Sequence, residues 1–154
     1  WIAQGSDDRV QAFKLAASNP PTLNSLFTAP TGSLPGDMAY DGKNMWVVNS
    51  GDNTVSVLRG IDGALIRTRT VGTFPMGIAF DGANLWVANS GGGSGNTVSV
   101  LRASDGALIG TCTVGQNPIG VAFDGANIWV ANFGDNTVTK IPAKISVFLP
   151  YIAP

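Results

Sequence analysis

The chain has 154 residues, a net charge of −1, only 12% charged residues, and neither histidine nor glutamate. One domain of this size can bury a core, but the charge balance excludes a nucleic-acid binder, which needs a basic surface. The lack of histidine excludes Ser-His-Asp and Cys-His catalysis, His-ligated zinc and His general acid–base work. Glycine (20), asparagine (12), threonine (12) and serine (11) dominate the polar composition, which favours strands and turns over helices. Cys112 stands alone, so no intrachain disulfide or thiolate metal site is available, and an inert small side chain is expected. No apolar run approaches the roughly 18 residues of a membrane helix, so no membrane insertion is expected. The chain opens on Trp1 without a visible secretory signal, which reads as a processed, truncated or partial chain.

The opening stretch is a repeat entered part-way. Trp1–Val10 aligns without gaps on Trp46–Val55. This alignment turns Asp8–Ser18, which could pass for a helix in isolation, into a strand. Pro35–Asn49 (PGDMAYDGKNMWVVN) is followed by Pro75–Asn89 (PMGIAFDGANLWVAN) and Pro118–Asn132 (PIGVAFDGANIWVAN). The last two are identical at twelve of fifteen positions, and the copies start 40 and 43 residues apart. The three extra residues fall in Gly91–Gly95, where GGGSG replaces Gly51-Asp52, a turn that tolerates insertion. All four tryptophans (Trp1, Trp46, Trp86 and Trp129) share one repeat position, and Tyr40, Phe80 and Phe123 share another.

Each repeat predicts four short strands. In the third block they are a (Gly77–Phe80), b (Asn84–Asn89), c (Thr97–Arg102) and d (Ala107–Val114). Asp-Gly pairs at 41–42, 81–82 and 124–125 separate a from b, and those at 62–63 and 105–106 separate c from d. Asp-Gly between apolar runs signals a tight hairpin, because glycine accepts the positive φ. Strands a and b are apolar on both faces, c alternates and d is partly polar, so burial is expected to fall from a to d. A period of 40–45 residues with four strands is that of a propeller blade. The expected fold is therefore all-β, with four-stranded antiparallel blades and the tryptophan ladder packed between them.

Trp86–Asn89, Asn96–Val100, Val114-Gly115 and Pro118–Ala122 together resemble the YVTN-type β-propeller repeat, with Trp-Val-Ala-Asn in place of the name-giving tetrapeptide. The resemblance covers nearly all of residues 1–141. It implies an extracellular or cell-surface location and no fixed chemistry. Related propellers resemble virginiamycin B lyase, whose mechanism relies on histidine; that activity is not carried over to a chain without one.

The repeats divide into a partial blade (1–34), two blades (35–74 and 75–117) and a second partial blade (118–141), followed by a tail (142–154). That makes about three and a half blades, which close only with another copy or with a longer parent. The expected assembly strands are Trp1, Ile2 and Ala3 at the start and Ile145, Val147 and Leu149 in the tail, as a closing or donated strand. With so little charge, assembly contacts should be apolar and backbone-mediated.

Alternation of antiparallel strands places the b–c loops and d–a links on one face. There Asn49, Asp52, Phe74, Asn89, Asn117, Asn132, Phe133 and Asp135 form the expected interaction surface for a surface glycan or a protein. Good turn chemistry alone would also explain its Asx residues. Asp7, Asp52 and Asp135 lie on different repeats and do not make a calcium site. No catalytic, cofactor-binding or metal-binding constellation emerges. The leading expectation is a non-enzymatic extracellular or cell-surface propeller, acting as a structural, self-assembling subunit or an interaction platform. The alternatives are a fragment of a propeller enzyme, lyase-like or quinoprotein-like, with its catalytic residues elsewhere, and a carbohydrate-binding module using Phe74 and Phe133.

Overall fold

The structure is a computed structural model and describes residues 1–16 and 22–143. Among these residues fourteen strands form four antiparallel sheets. The first sheet holds β1 (Ile2–Gln4), β2 (Arg9–Ala16) and β3 (Thr22–Pro30), in that order. The second runs β4 (Pro35–Tyr40), β5 (Asn44–Asn49), β6 (Thr54–Arg59) and β7 (Leu65–Thr70). The third runs β8 (Pro75–Phe80), β9 (Asn84–Asn89), β10 (Thr97–Arg102) and β11 (Leu108–Thr113). The fourth has β12 (Pro118–Phe123), β13 (Asn127–Asn132) and β14 (Thr137–Pro142). The stretch that the repeat alignment turns from a helix into a strand is β2, and its pairing of Ile2 with Gln11 and Ala3 with Val10 repeats that of Val47 with Ser56 and Val48 with Val55. The expected tail strand with Ile145, Val147 and Leu149 lies outside the described residues.

The hairpins follow from the Asp-Gly pairs. Gly42, Gly82 and Gly125 take φ of +93°, +100° and +97°, a region costly for any residue with a Cβ. The inner strands β4, β8 and β12 of successive sheets lie side by side, which makes the arrangement radial. The approach is closest at Gly77, where a Cβ would stand 2.5 Å from the carbonyl oxygen of Ile119. Asp37 Oδ2 accepts the Ile78 N–H at 3.0 Å and ties β4 to β8.

Sheets stack face to face, and alternation along the strands gives each sheet a leading and a trailing face. The trailing residues Val10 and Ala29 of the first sheet, with Trp1 and Ala3 beside them, pack on the leading Met45, Val47 and Leu58 of the second. The trailing Trp46, Val48, Val55 and Val57 pack on the leading Ile78, Leu85, Val87 and Leu101 of the third. The trailing Trp86, Val98 and Val100 pack on Ile128 and Val130 of the fourth. One interface is thus built three times.

Burial does not fall steadily from a to d. It is greatest in the middle strands β5, β6, β9 and β10, while the inner strand β4 is largely exposed or half-buried. The inner strand has no hydrogen-bonded neighbour on its axial side, so apolar composition alone does not bury it. The alternation of strand c does not mark a solvent side either. Ser56 and Ser99 are buried, because each accepts a hydrogen bond from an asparagine across the hairpin. The tryptophan ladder is packed between sheets at Trp46 and Trp86, but Trp129 is 39% exposed, since no further sheet covers the fourth among the described residues.

Candidate functional site: an apolar pocket on the loop face

The repeats act as internal controls: a device present in every copy builds the blade, and a departure confined to one place suggests another role. The first device is the a–b turn. Asp81 Oδ1 accepts the backbone N–H groups of Ala83 and Asn84, while Oδ2 accepts the Trp86 indole N–H at 2.7 Å. Asp41 with Trp46, and Asp124 with Trp129, repeat it at 2.7 Å. Burial pushes the carboxyls of Asp41 and Asp81 up, but the indole, backbone and asparagine donors together hold them below the ordinary aspartate value. Asp124 is exposed and is held well below it, first by Trp129 and then by the backbone of Asn127 and Ala126. These carboxylates are ionised hairpin clamps.

The second device ends strand b. Asn49 donates to Thr54 and Ser56, Asn89 to Thr97 and Ser99, and Asn132 to Thr137 and Thr139. All three asparagines are buried, so they are not surface recognition groups. Asp52 and Asp135 are exposed, yet each carboxylate accepts the backbone N–H of a d–a link, from Ser33 at 2.7 Å and from Gln116 at 2.6 Å. Of the eight residues expected on this face, five therefore serve the fold directly. The same holds at the start of the chain, where Trp1 and Ala3 face the second sheet and Ile2 faces outward.

The remaining three, Phe74, Asn117 and Phe133, converge on one pocket of about 560 Å³. Met76 and Ile119 complete its apolar wall, and Ser90, Gly92 and Gly93 line it too. Several of its parts vary between the copies. Phe133 stands where the other copies have Ser50 and Ser90, which are buried and donate hydrogen bonds to backbone carbonyls. Met76 and Ile119 stand where the first full copy has Gly36, and Gly91–Gly93 form a 3₁₀ turn in the segment carrying the insertion. Phe133 is 66% exposed.

Phe74 is fixed rather than loose. It takes φ +49° ahead of Pro75, an unusual conformation for a bulky residue. Asn53 Oδ1 accepts its N–H at 2.7 Å, and its carbonyl accepts both the Ser90 N–H and the Ser90 hydroxyl. Backbone bonds on both sides thus hold the ring at the pocket mouth. Met76 and Ile119 escape sequence reasoning, although the change of Gly36 to Met76 and Ile119 between the copies is a usable signal.

A second cavity, about 920 Å³, opens on the Asp-Gly turn side between the third and fourth sheets, bordered by Arg102, Leu108, Ile109 and Phe123. One junction earlier, Arg67 and Arg69 of β7 reach across to the Asp105 carbonyl of the third sheet. The matching positions of β11 are Gly110 and Cys112, which carry no such bridging side chain. Cys112 packs instead beside the cluster of Trp86, Val98 and Ile128, and burial pushes its thiol up, away from a reactive thiolate. Among the described residues no group of three His, Cys, Asp or Glu could hold a metal ion.

Radially stacked antiparallel sheets with converging inner strands define a β-propeller, of which the chain forms a part. Solved propeller structures agree. Hydrazine synthase from Kuenenia stuttgartiensis is similar with a TM-score of 0.70 at 23% identity, over 77% of this chain and 37% of that one. A protein of unknown function from Desulfotomaculum acetoxidans gives 0.72 at 18%, over 89% and 46%. Streptogramin B lyase gives 0.65 at 19%, over 90% and 49%. The chain spans half or less of the length of these structures, and such identities show the fold alone. No protein-family model and no curated sequence matches the chain.

Proposed function

We propose that the chain is an interaction module of a YVTN-type extracellular or cell-surface β-propeller, non-enzymatic, with a protein partner seated on the loop face. The observation that carries this reading is the pocket formed by Phe74, Met76, Ile119 and Phe133. Its volume of about 560 Å³ lies within the usual range for ligand pockets. It sets apolar side chains at the surface, with Phe133 where the other copies have Ser50 and Ser90, and Met76 and Ile119 where the first full copy has Gly36. An apolar side chain of an extended peptide would displace water from both rings and from Met76 and Ile119, while Asn117 offers a polar group at the edge.

A displayed library of short peptides is the direct test. Binders should carry an apolar anchor and lose at least tenfold in affinity against Phe133→Ala; binders indifferent to that change would overturn the reading. A second reading, carbohydrate binding, is favoured by the two aromatic rings sharing one pocket, since sugar C–H faces stack on aromatic rings. A glycan array that selects ligands lost in Phe133→Ala, with no peptide selected, would establish it instead. Labelling of intact producing cells with a membrane-impermeant reagent tests the location.

A further inference from the structure

The links that enter the second, third and fourth sheets share one backbone path, and two of the three are capped in the same way. Ser33, Thr73 and Gln116 hold the same link position, each after a glycine and two residues before a proline. Asp52 Oδ2 accepts the Ser33 N–H at 2.7 Å, and Asp135 Oδ2 accepts the Gln116 N–H at 2.6 Å. Each carboxylate comes from the b–c loop of the sheet that the link enters.

The link into the third sheet departs from this pattern. The Gly91 N–H donates to the Thr73 carbonyl, as Gly51 does to Ser33 and Gly134 to Gln116, so the three loops start in register. The third then continues as Gly92-Gly93-Ser94-Gly95 where the others place aspartate. The Thr73 N–H consequently has no acceptor among the described residues. A polar pocket of about 270 Å³ lies beside it, bordered also by Ser94, Asn96 and Thr97. Thr73 and Asn96 add a hydroxyl and an amide as further donors. No charged side chain borders this pocket or the apolar one among the described residues.

The two pockets are neighbours. Thr73 borders the polar one and Phe74 the apolar one; Gly91 borders the first, and Gly92 and Gly93 the second. A Cβ at Gly92 or Gly93 would meet no atom within 4 Å, so no described part of the chain covers the turn between them. We propose that the polar pocket takes the side-chain carboxylate of an aspartate or glutamate that follows the apolar anchor of the bound peptide. That carboxylate caps Thr73 as Asp52 and Asp135 cap Ser33 and Gln116. The inference rests on the peptide reading above and narrows the partner to a segment with an apolar residue next to an acidic one. An ionised acceptor makes a stronger hydrogen bond than a neutral one, and the two resident carboxylates show the geometry it takes on this backbone. The third sheet lies between the second and the fourth, so the polar pocket owes nothing to the ends of the stack.

The test is a titration of the isotope-labelled full chain with two capped dipeptides, acetyl-Leu-Asp-N-methylamide and its acetyl-Leu-Asn counterpart, followed by amide correlation spectra. Both ends are blocked, so the aspartate side chain is the sole carboxylate. The aspartyl peptide should bind roughly tenfold more tightly than the asparaginyl one and move the Thr73 amide proton downfield. The Ser33 and Gln116 amides should stay in place. In a variant whose residues 91–96 are exchanged for the Gly51-Asp52-Asn53 sequence, the chain supplies its own carboxylate, and the preference for the aspartyl peptide should vanish. Phe133→Ala should weaken both peptides by the same factor. Equal affinity for the two peptides, a Thr73 amide unmoved at millimolar aspartyl peptide, or a preference that survives the loop exchange would overturn the carboxylate proposal. Peptides that move Thr73 but ignore Phe133→Ala would overturn the apolar-anchor reading instead.

Discussion

Pro75–Asn89 and Pro118–Asn132 differ at three positions, all aliphatic, yet they end in different surroundings. Both fold into the same hairpin, with the same 2.7 Å bond from tryptophan to aspartate. Trp86 is fully buried and Trp129 is 39% exposed. Local sequence sets the hairpin and its clamp. Burial is set by the next sheet in the stack, which the third sheet has and the fourth lacks among the described residues. In a radial repeat protein the stabilising unit is therefore the junction between blades rather than the blade itself.

Removing the two rings measures that difference most strongly. Trp86→Ala should cost about 3–5 kcal/mol, the range for a buried large aromatic. Trp129→Ala should cost less than half as much, because no further sheet covers its face among the described residues. Equal losses by chemical denaturation would place the stabilisation in the hairpin rather than the junction. Gly77→Ala comes next. Its Cβ would meet the Ile119 carbonyl at 2.5 Å, so a loss of about 1–3 kcal/mol is expected, as for overpacking. Gly120→Ala, whose nearest neighbour is the Ala131 Cβ at 3.7 Å, should be tolerated; thermal melts of the pair decide whether the inner strands touch as described.

Gly82→Val should lower stability by about 1–2 kcal/mol, because φ +100° strains a β-branched residue although no atom blocks it. An unchanged melting temperature would rule out the positive-φ turn. The smallest effect concerns acid. The Asp41, Asp81 and Asp124 carboxyls are held lower in the folded chain than in the unfolded one. Their contribution is thus fully present above the unfolded value of about 4 and is lost as pH falls towards the lower folded values. Asp81→Asn should flatten the fall in melting temperature below pH 4; an unaltered pH profile would remove the clamp from the account.

Much of the fold is legible in the sequence because its determinants are local. The Asp-Gly pairs set the hairpins, and the Trp1–Val10 alignment yields both the strand and its register. Contacts with neighbouring sheets are less legible. Ser56 and Ser99 look like solvent positions by alternation, but the sheet on that side covers them and Asn49 and Asn89 satisfy them. The same asparagines look like surface recognition groups until their hydrogen bonds are traced. For the pocket, Phe74 and Phe133 stand out as aromatics in polar loops, whereas Met76 and Ile119 resemble ordinary strand apolars until adjacent blades bring them together.

The claim that the junction, and not the hairpin, decides protection is tested most directly by hydrogen exchange of the tryptophan indole N–H groups. Trp46, Trp86 and Trp129 donate the same 2.7 Å bond, so a difference in exchange reports coverage alone. Trp46 and Trp86 should exchange slowly and Trp129 quickly. A Trp129 indole as protected as that of Trp86 would contradict the account.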